Sequence, residues 1–361
     1  MASTQHKAGT ETPVGGAEPA LHPPSKAAIG ADWHECVVRA KSARELGRKT
    51  REGKPITFRL TRNLNFGRRS KDSGRGPVPD RTPLYEAQHS PRYERQRLIG
   101  EYEDAYQCRL VVLIDALFPD SVNLFEETLY DADPSQDLHV MLSTPGGDGE
   151  TAIRLIRQAQ AHCKELTVVV PNQAKSAGTL FVLGADHIIL GPTSDLGPID
   201  PQFRLPDGSL AAGKAIIAAV EDAEQRVTRN PDTFPLHASL LSDISALMVQ
   251  QARDALARTN DQLTEALGCV SGRNKANIRK LASSLGDSLI GKAQSHATTV
   301  SAQDAAQFGL PVKAMASSDR QWQEIWRLWT KYVAMGAVQA YEGRTASVVL
   351  TPEDYRELAG G

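Results

Sequence analysis

The chain has 361 residues, of which 40% are hydrophobic and 23% are charged, and its formal net charge at pH 7 is −2. This balance is typical of a globular protein with a sizeable core, and it gives no general reason to expect nucleic acid or an anionic membrane as a partner. No run of about 18 apolar residues is present, so we predict no membrane-spanning helix.

The N-terminal part shows little periodicity. Residues 1–31 are rich in Gly, Ala, Pro, Thr and Ser, which predicts a disordered tail. The tail lacks the apolar centre of a secretory signal, so the expected location is the cytoplasm. Residues 32–97 form an extension that is strongly basic from residue 37 onward. We interpret it as a solvated, partly flexible segment, and the alternative is a docking arm for an acidic partner; no motif supports nucleic acid.

Four short, nearly continuous apolar runs rich in β-branched residues follow. Such runs are typical of strands that are buried on both faces, as in a parallel sheet. Between the second and third runs, residues 149–163 carry apolar side chains at helical spacing. Alternation of strand and helix at this spacing indicates right-handed βαβ units, so we predict an α/β fold. The predicted strands are 110–115, 138–143, 166–171 and 187–190.

Beyond about residue 201 we predict no further strands. The stretch 201–213 is predicted to be a loop, and helical patterns dominate after it. The last helix carries an apolar stripe that indicates either core or a subunit interface. The predicted helices are 213–229, 239–267, 275–286 and 319–341. The stripe consists of Trp322, Ile325, Trp326, Trp329 and Val333.

Two glycine-containing junctions follow the second and third predicted strands. They are residues 143–149 (STPGGDG) and 175–179 (KSAGT). Both lie beyond the carboxyl ends of strands, where open α/β sheets gather catalytic groups. Ser176 would supply a nucleophilic hydroxyl, and the N–H groups of Gly147 and Ala177 would supply two donors for an oxyanion, as acyl transfer requires. Each junction alone is equally compatible with a structural turn or a helix cap.

The combination of TPGG, a later SAG serine and a following strand that ends in Gly-Pro resembles the ClpP/crotonase superfamily. More narrowly, residues 97–202 resemble the serine dehydrogenase proteinase family, which is related to signal peptide peptidase A. The matching segments are RQRLIGEYED, STPGGDGETAIRLIRQA and VVVPNQAKSAGTLFVLGADHIILGPTSDLGPIDPQ. Near the C-terminus, SHATTVSAQDAAQFGLPV resembles the terminal segment of that superfamily.

This resemblance implies a ClpP/crotonase-like spiral of ββα units over residues 98–317, helical from about residue 213, with a Trp-rich helix and tail at 318–361. It also implies peptide-bond hydrolysis by Ser176, with Gly146, Gly147 and Ala177 at the oxyanion hole. We expect peptides or unfolded protein segments as substrates. We also expect a homo-oligomer, in part because exposed tryptophans on the last helix would be costly in water.

The sequence leaves the general base open, although serine needs a partner that accepts its proton. ClpP has a histidine shortly after its serine, where this chain has Ile199, Asp200 and Pro201. The related membrane-associated peptidases use a downstream lysine, and Lys214 is the first lysine after Ser176. His296 is the competing base. We prefer a Ser-Lys dyad, and we expect Lys175 to bind or position.

Two other functions stay open. A crotonase-like acyl-CoA enzyme would use similar backbone donors, but only Asp148 and Glu150 stand where an acid would be expected. A non-catalytic oligomeric scaffold is the other, because the triad histidine is missing. The histidines show no metal-ligand spacing, the four cysteines form no CxxC pair, and no dinucleotide fingerprint occurs, so we predict neither a metal nor a cofactor.

Overall fold

The computed structural model describes residues 82–291 and 298–360. The predicted tail, most of the basic extension and His296 lie outside these residues. The strands, in chain order, are β1 (Cys108–Ile114), β2 (Asp137–Ser143), β3 (Leu166–Val170), β4 (Gln173–Ala174), β5 (His187–Leu190), β6 (Asp195–Leu196), β7 (Gln202–Arg204), β8 (Leu210–Ala212), β9 (Val312–Ala314), β10 (Gln339–Glu342) and β11 (Ser347–Leu350).

The helices surround this set of strands, and several of them match the predicted bounds to within two residues. A 3₁₀ turn (Pro231–Thr233) and a π-helix (Gly286–Gly291) complete the described elements. The helices are α1 (Pro83–Gln88), α2 (Ser90–Tyr106), α3 (Pro119–Leu129), α4 (Gly149–Ala161), α5 (Ala177–Leu183), α6 (Gly213–Arg229), α7 (Phe234–Leu240), α8 (Ala246–Gly268), α9 (Lys275–Leu285), α10 (Ala302–Gln307), α11 (Arg320–Met335) and α12 (Pro352–Gly360).

A seven-stranded sheet with the order β11-β10-β1-β2-β3-β5-β9 forms the centre of the fold. The strands β1, β2, β3, β5 and β9 are parallel to one another. By contrast, β10 is antiparallel to β1, and β11 is antiparallel to β10. All five side chains of β3 are buried, as expected for a strand that is covered on both faces. The α/β prediction is therefore confirmed.

A second, short layer of pairing follows the carboxyl ends of the parallel strands. Here β4 pairs with β6, and single bridges join Leu117 to Gly147, Thr144 to Ala174 and Leu196 to Val300. Each of β1, β2 and β3 is thus followed by a short bridging segment and then by a helix. This repeated order of strand, short strand and helix agrees with a spiral of ββα units. It also brings the two glycine junctions side by side.

The prediction that strands end near residue 201 is wrong. The stretch that we predicted as a loop forms the β7–β8 hairpin, turned by Gly208 at φ 86°. The segment predicted as the end of the last helix contains β10, because α11 ends at Met335 and Gly336 takes a left-handed conformation. The strand β10 pairs with β11 in a hairpin and with β1, a partner that is distant in sequence and that no local pattern reveals.

The face of α11 that packs on the sheet differs from the predicted stripe. Trp322 and Trp329 are buried together with α2 side chains against the sheet, whereas Trp326 is 38% and Val333 57% exposed. The chain itself therefore covers two of the three tryptophans that we expected to need a partner subunit. The predicted boundary at residue 97 falls inside α2, which packs on the same face.

Candidate active site

Ser176 occupies a strained turn between β4 and α5. Its backbone has φ 50° and ψ −116°, and Gly178 N donates to Lys175 O at 2.8 Å, which closes a turn of the II′ type. The first central position of such a turn is normally held by glycine, because a Cβ is strained at positive φ. A strained serine at a strand-to-helix turn is the geometry of a nucleophile elbow, which presents the hydroxyl outward. The serine is half-buried, and its hydroxyl does not cap α5.

The glycine turn after β2 lies directly against this serine. A Cβ built on Gly146 would be 2.7 Å from the Ser176 Cβ and 3.4 Å from the Ala177 nitrogen. On its other side, a Cβ on Gly147 would be 2.1 Å from the Leu117 carbonyl oxygen. The two glycines have φ values of 105° and 148°. Glycine is therefore required at both positions, for backbone conformation and for space.

Backbone hydrogen bonds hold the glycine turn and leave two donors free. Gly146 N donates to Thr144 Oγ1 at 3.0 Å, and Gly146 O accepts from Leu117 N at 2.9 Å. Within the described part of the chain, the N–H groups of Gly147 and Ala177 have no acceptor. Of the three predicted oxyanion residues, Gly147 and Ala177 thus have donors to offer, whereas the Gly146 donor is already used.

The packing beneath the turn explains why the two junctions stay together. Lys175 N donates to Thr144 O at 3.1 Å, and Thr144 N donates to Gln173 O at 2.9 Å. The buried Thr179 hydroxyl lies 2.8 Å from both Ala174 O and Gly197 O and can donate its one proton to either. The site is therefore built on the ends of β2, β4 and β6 rather than on a loose loop.

Lys214 lies at the start of α6 and is tied to the π-helix. Its Nζ donates to Ile290 O at 2.8 Å and approaches Gly291 O at 3.5 Å. Nearby, Ile199 N donates to Leu289 O at 3.2 Å, and the buried Asp200 accepts from Gln202 Nε2 at 2.8 Å. The structure shows no hydrogen bond from Lys214 to Ser176. His296 is outside the described residues.

The described histidines and cysteines offer no competing nucleophile or base at this site. None of the rings of the five described histidines hydrogen-bonds to Ser176, and His139 Nδ1 is hydrogen-bonded to the Tyr102 hydroxyl at 2.9 Å. Burial raises the pKa of the Cys108 and Cys163 thiols to about 12. These thiols are therefore protonated at neutral pH and are not nucleophiles. The described histidines are His89, His139, His162, His187 and His237.

The two carboxylates near the glycine turn have structural partners. Asp148 caps α4 and accepts from Thr151 N at 2.9 Å and from Thr151 Oγ1 at 2.7 Å. Arg258 Nε and Nη2 donate to Glu150 at 2.6 and 2.8 Å. The Arg258 guanidinium holds the pKa of the Glu150 carboxyl below its usual value. Both carboxyls thus have a structural role in the described fold.

Lys175 is expected from the sequence to bind or position, but its partner Asp195 and the buried Asp115 carry no signal there. Lys175 Nζ pairs with Asp195 on β6, and Asp115 at the end of β1 is buried against Gln339 and Tyr341 of β10. These partners come from separate segments, and single polar residues in loops carry no periodic signal.

The described residues contain no cluster of potential metal ligands, and no described helix is long and apolar enough to cross a membrane.

Comparison with known protein families gives one match over more than half of the chain. The profile of the family described as ClpP-like SDH-type serine proteinase matches residues 129–332. This range contains both glycine junctions, Ser176 and Lys214.

Two uncharacterised proteins of Methanocaldococcus jannaschii are similar in sequence. One is 32% identical over 123 residues, which is 34% of this chain and 39% of that protein. The other is 26% identical over 139 residues, which is 38% of this chain and 41% of that protein. The chain therefore spans about two fifths of the length of these curated relatives.

Among solved structures, two variants of the 1510-N membrane-bound stomatin-specific protease are similar. The variant in complex with a substrate peptide is 15% identical with a TM-score of 0.37, and the match covers 67% of this chain and 85% of that chain. The other variant is 15% identical with a TM-score of 0.38, and the match covers 67% and 90%.

Proposed function

Because the chain belongs to the family of ClpP-like SDH-type serine proteinases, we propose that it hydrolyses peptide bonds through Ser176. The observation that carries this proposal is the strained serine turn, packed against the glycine turn, with two unengaged N–H donors beside it. A nucleophile and two convergent donors are what acyl transfer requires.

In the proposed reaction, Ser176 Oγ attacks the carbonyl carbon of the scissile peptide, and its proton passes to a base. The carbonyl oxygen becomes an oxyanion and accepts hydrogen bonds from Gly147 N and Ala177 N. The C–N bond then breaks, the base returns the proton to the leaving amine, and an acyl group remains on Ser176. Water, deprotonated by the same base, releases the acyl group and restores the serine.

We assign the base to Lys214, with His296 as the alternative. The support for Lys214 is its place next to the segment that follows β6, where Ile199 is bonded to the same π-helix. The start of α6 also buries Ile216, and the carbonyl that accepts from Lys214 Nζ belongs to the buried Ile290.

Lys214→Met tests this assignment, because it keeps the length of the side chain and removes the amine. We expect a loss of hydrolysis of at least about 100-fold, the lower end of the range for a general base. Lys280→Met, on exposed α9, is the matched control. Full activity of Lys214→Met together with an inactive His296→Ala would transfer the role to the histidine.

A non-catalytic scaffold is the competing function, because the described residues place no hydrogen-bonded base on the Ser176 hydroxyl. Peptides or unfolded protein segments are the substrates that we propose for the enzyme, in the cytoplasm and in a homo-oligomer.

The experiment that tests the proposed function is degradation of unfolded casein by the purified chain, followed by mass spectrometry of the fragments. We expect cleavage that is abolished in the Ser176→Ala variant. The Ser242→Ala variant, which changes an exposed serine, should cleave as the unaltered chain does. Equal cleavage by Ser176→Ala would exclude Ser176 as the nucleophile. No cleavage by the unaltered chain would favour the non-catalytic scaffold.

A further inference from the structure

Lys175 stands immediately before the nucleophile, and its side chain is turned away from it into an ion pair. Lys175 Nζ bonds to Asp195 Oδ2 and lies 3.3 Å from Leu196 O. The Lys175 side chain is 14% exposed and that of Asp195 is 24% exposed. This pair is well shielded, unlike the exposed ion pairs on the helices of this chain, which contribute little to stability.

Asp195 joins three segments at the carboxyl ends of the strands. Its Oδ1 accepts from Val300 N at 3.1 Å, and its own N–H donates to Asn172 O at 2.8 Å. The carboxylate thus connects the serine turn, β6 and the bridge at Val300. Only Lys175 among these partners belongs to the turn that contains Ser176.

Gly197 leaves space for the Lys175 side chain. A Cβ built on Gly197 would be 2.4 Å from Lys175 Cδ, so a larger residue there would push the lysine stem aside. The backbone of Gly197 is not in the left-handed region, so its small size rather than its conformation is what the position uses. The lysine stem therefore packs against Gly197, directly after β6, and its ammonium reaches Asp195.

We propose that Lys175 and Asp195 are positioning residues for the nucleophile. The turn that contains Ser176 is strained, and a strained backbone persists only when its surroundings hold it. The ion pair fixes the residue before the serine to β6 and thereby aims Ser176 Oγ at the site between Gly147 N and Ala177 N. A misplacement of about 1 Å at a reacting atom is enough to cost about 100-fold in rate. This inference rests on the proposed function of Ser176.

The test measures how fast a fluorophosphonate reacts with Ser176. Its dependence on reagent concentration gives the maximal inactivation rate and the affinity for the reagent as separate quantities. Lys175→Met and Asp195→Asn are each expected to lower the maximal rate at least about tenfold with little change in affinity. The double variant is expected to be no slower than either single variant, because the two residues act as one unit. Lys175→Arg is expected to recover most of the rate, and Gly197→Ala to reproduce part of the loss.

Lys331→Met, which breaks the exposed pair with Glu94, is the control for loss of a lysine ion pair elsewhere. All rates are measured below the unfolding midpoint of every variant, so that only folded protein is compared. A Lys175→Met protein that is labelled as fast as the unaltered chain overturns the inference while leaving the proposed function intact. A loss of the maximal inactivation rate in Lys175→Met that Lys175→Arg does not recover also overturns the inference. If the unaltered chain is not labelled at all, the proposed function fails, and this inference fails with it.

Discussion

At the scale of single residues, Ser176 shows a conflict between conformation and chemistry. Its φ of 50° suits glycine, yet the position holds a residue with a Cβ and a hydroxyl. Strain of this kind costs on the order of 1–3 kcal/mol and is found at active sites, where a reactive group must be presented. The conflict has a simple explanation if the hydroxyl is needed for the reaction, and it has none if the turn only connects β4 to α5.

Ser176→Gly should therefore stabilise the protein relative to Ser176→Ala. Both variants lose the hydroxyl, but only glycine removes the strain, and we expect a difference of about 1 kcal/mol in the free energy of unfolding. Chemical denaturation of both variants measures it. Equal stability, or a less stable glycine variant, would show that the turn is not strained.

The buried ring of His139 should make the free energy of unfolding depend on pH. Burial lowers the pKa of its ring to about 4. Tyr102 Oη accepts from Gln321 Nε2 at 2.9 Å and can therefore donate to His139 Nδ1, 2.9 Å away, which suits a neutral ring. In the unfolded chain the ring titrates near its ordinary pKa of about 6.5.

Between about pH 6.5 and pH 4 the unfolded chain binds a proton that the folded chain does not. The free energy of unfolding should therefore fall as the pH falls through this window, by up to about 3 kcal/mol from His139 alone. Denaturant unfolding at pH 7 and pH 5 measures the fall. His139→Gln should reduce it, and a pH dependence that is identical in this variant would contradict the assignment.

At the scale of elements, a buried polar network joins α2 to the β10–β11 hairpin. Arg95 of α2 bonds to Glu342 of β10 at 2.6 and 3.2 Å, and both side chains are nearly inaccessible. Tyr332 of α11 and Ser347 of β11 donate to the same carboxylate at 2.6 and 2.7 Å. The network connects elements that lie outside or at the edge of the matched range of the family, and it fixes them to the central sheet.

Glu342→Met should be strongly destabilising, because it leaves the Arg95 guanidinium buried without a counter-charge. The expected loss is about 3–5 kcal/mol, whereas Arg95→Met combined with Glu342→Met should be closer to the unaltered chain. Thermal unfolding provides the measurement, with Asp222→Asn in the exposed Arg226 pair as control. A double variant that is less stable than Glu342→Met would contradict this view.

These elements also show what the sequence could predict. The runs that became β1, β2, β3 and β5 are continuous and apolar, so burial on both faces is visible locally. By contrast, β7, β8, β10 and β11 have three or four residues each, and their stability comes from pairing that the local pattern does not contain. Likewise, Ser176 and the glycine turn carry a recognisable motif, whereas the Lys175–Asp195 pair becomes visible only when β4 and β6 are placed side by side.

At the scale of the whole molecule, the helical part of the chain carries an exposed apolar surface. An open groove of about 680 Å³ lies between α6 and α7. Phe234, Leu236 and Leu240 on or beside it are 61%, 59% and 68% exposed. Exposed clusters of this kind mark interaction surfaces in soluble proteins. They are better support for the proposed homo-oligomer than the tryptophans of α11, which are mostly core.

Leu236→Glu together with Leu240→Glu should therefore lower the oligomeric state in sedimentation velocity. Each introduced carboxylate would replace apolar surface with a charge that has to be desolvated on association, which is costly. The folded protomer should survive, because both side chains are exposed within one chain. An unaltered chain that sediments as a monomer, or a double variant that assembles unchanged, would contradict this interface.

The central claim is that Ser176 is the nucleophile, and the most direct test is where a fluorophosphonate probe attaches to the full chain. The probe is incubated with the folded protein, and the adduct is located by mass spectrometry of peptides. The account predicts a single adduct at Ser176, absent from Ser176→Ala and from heat-unfolded protein. An adduct on another residue, or equal labelling of Ser176→Ala, would contradict it.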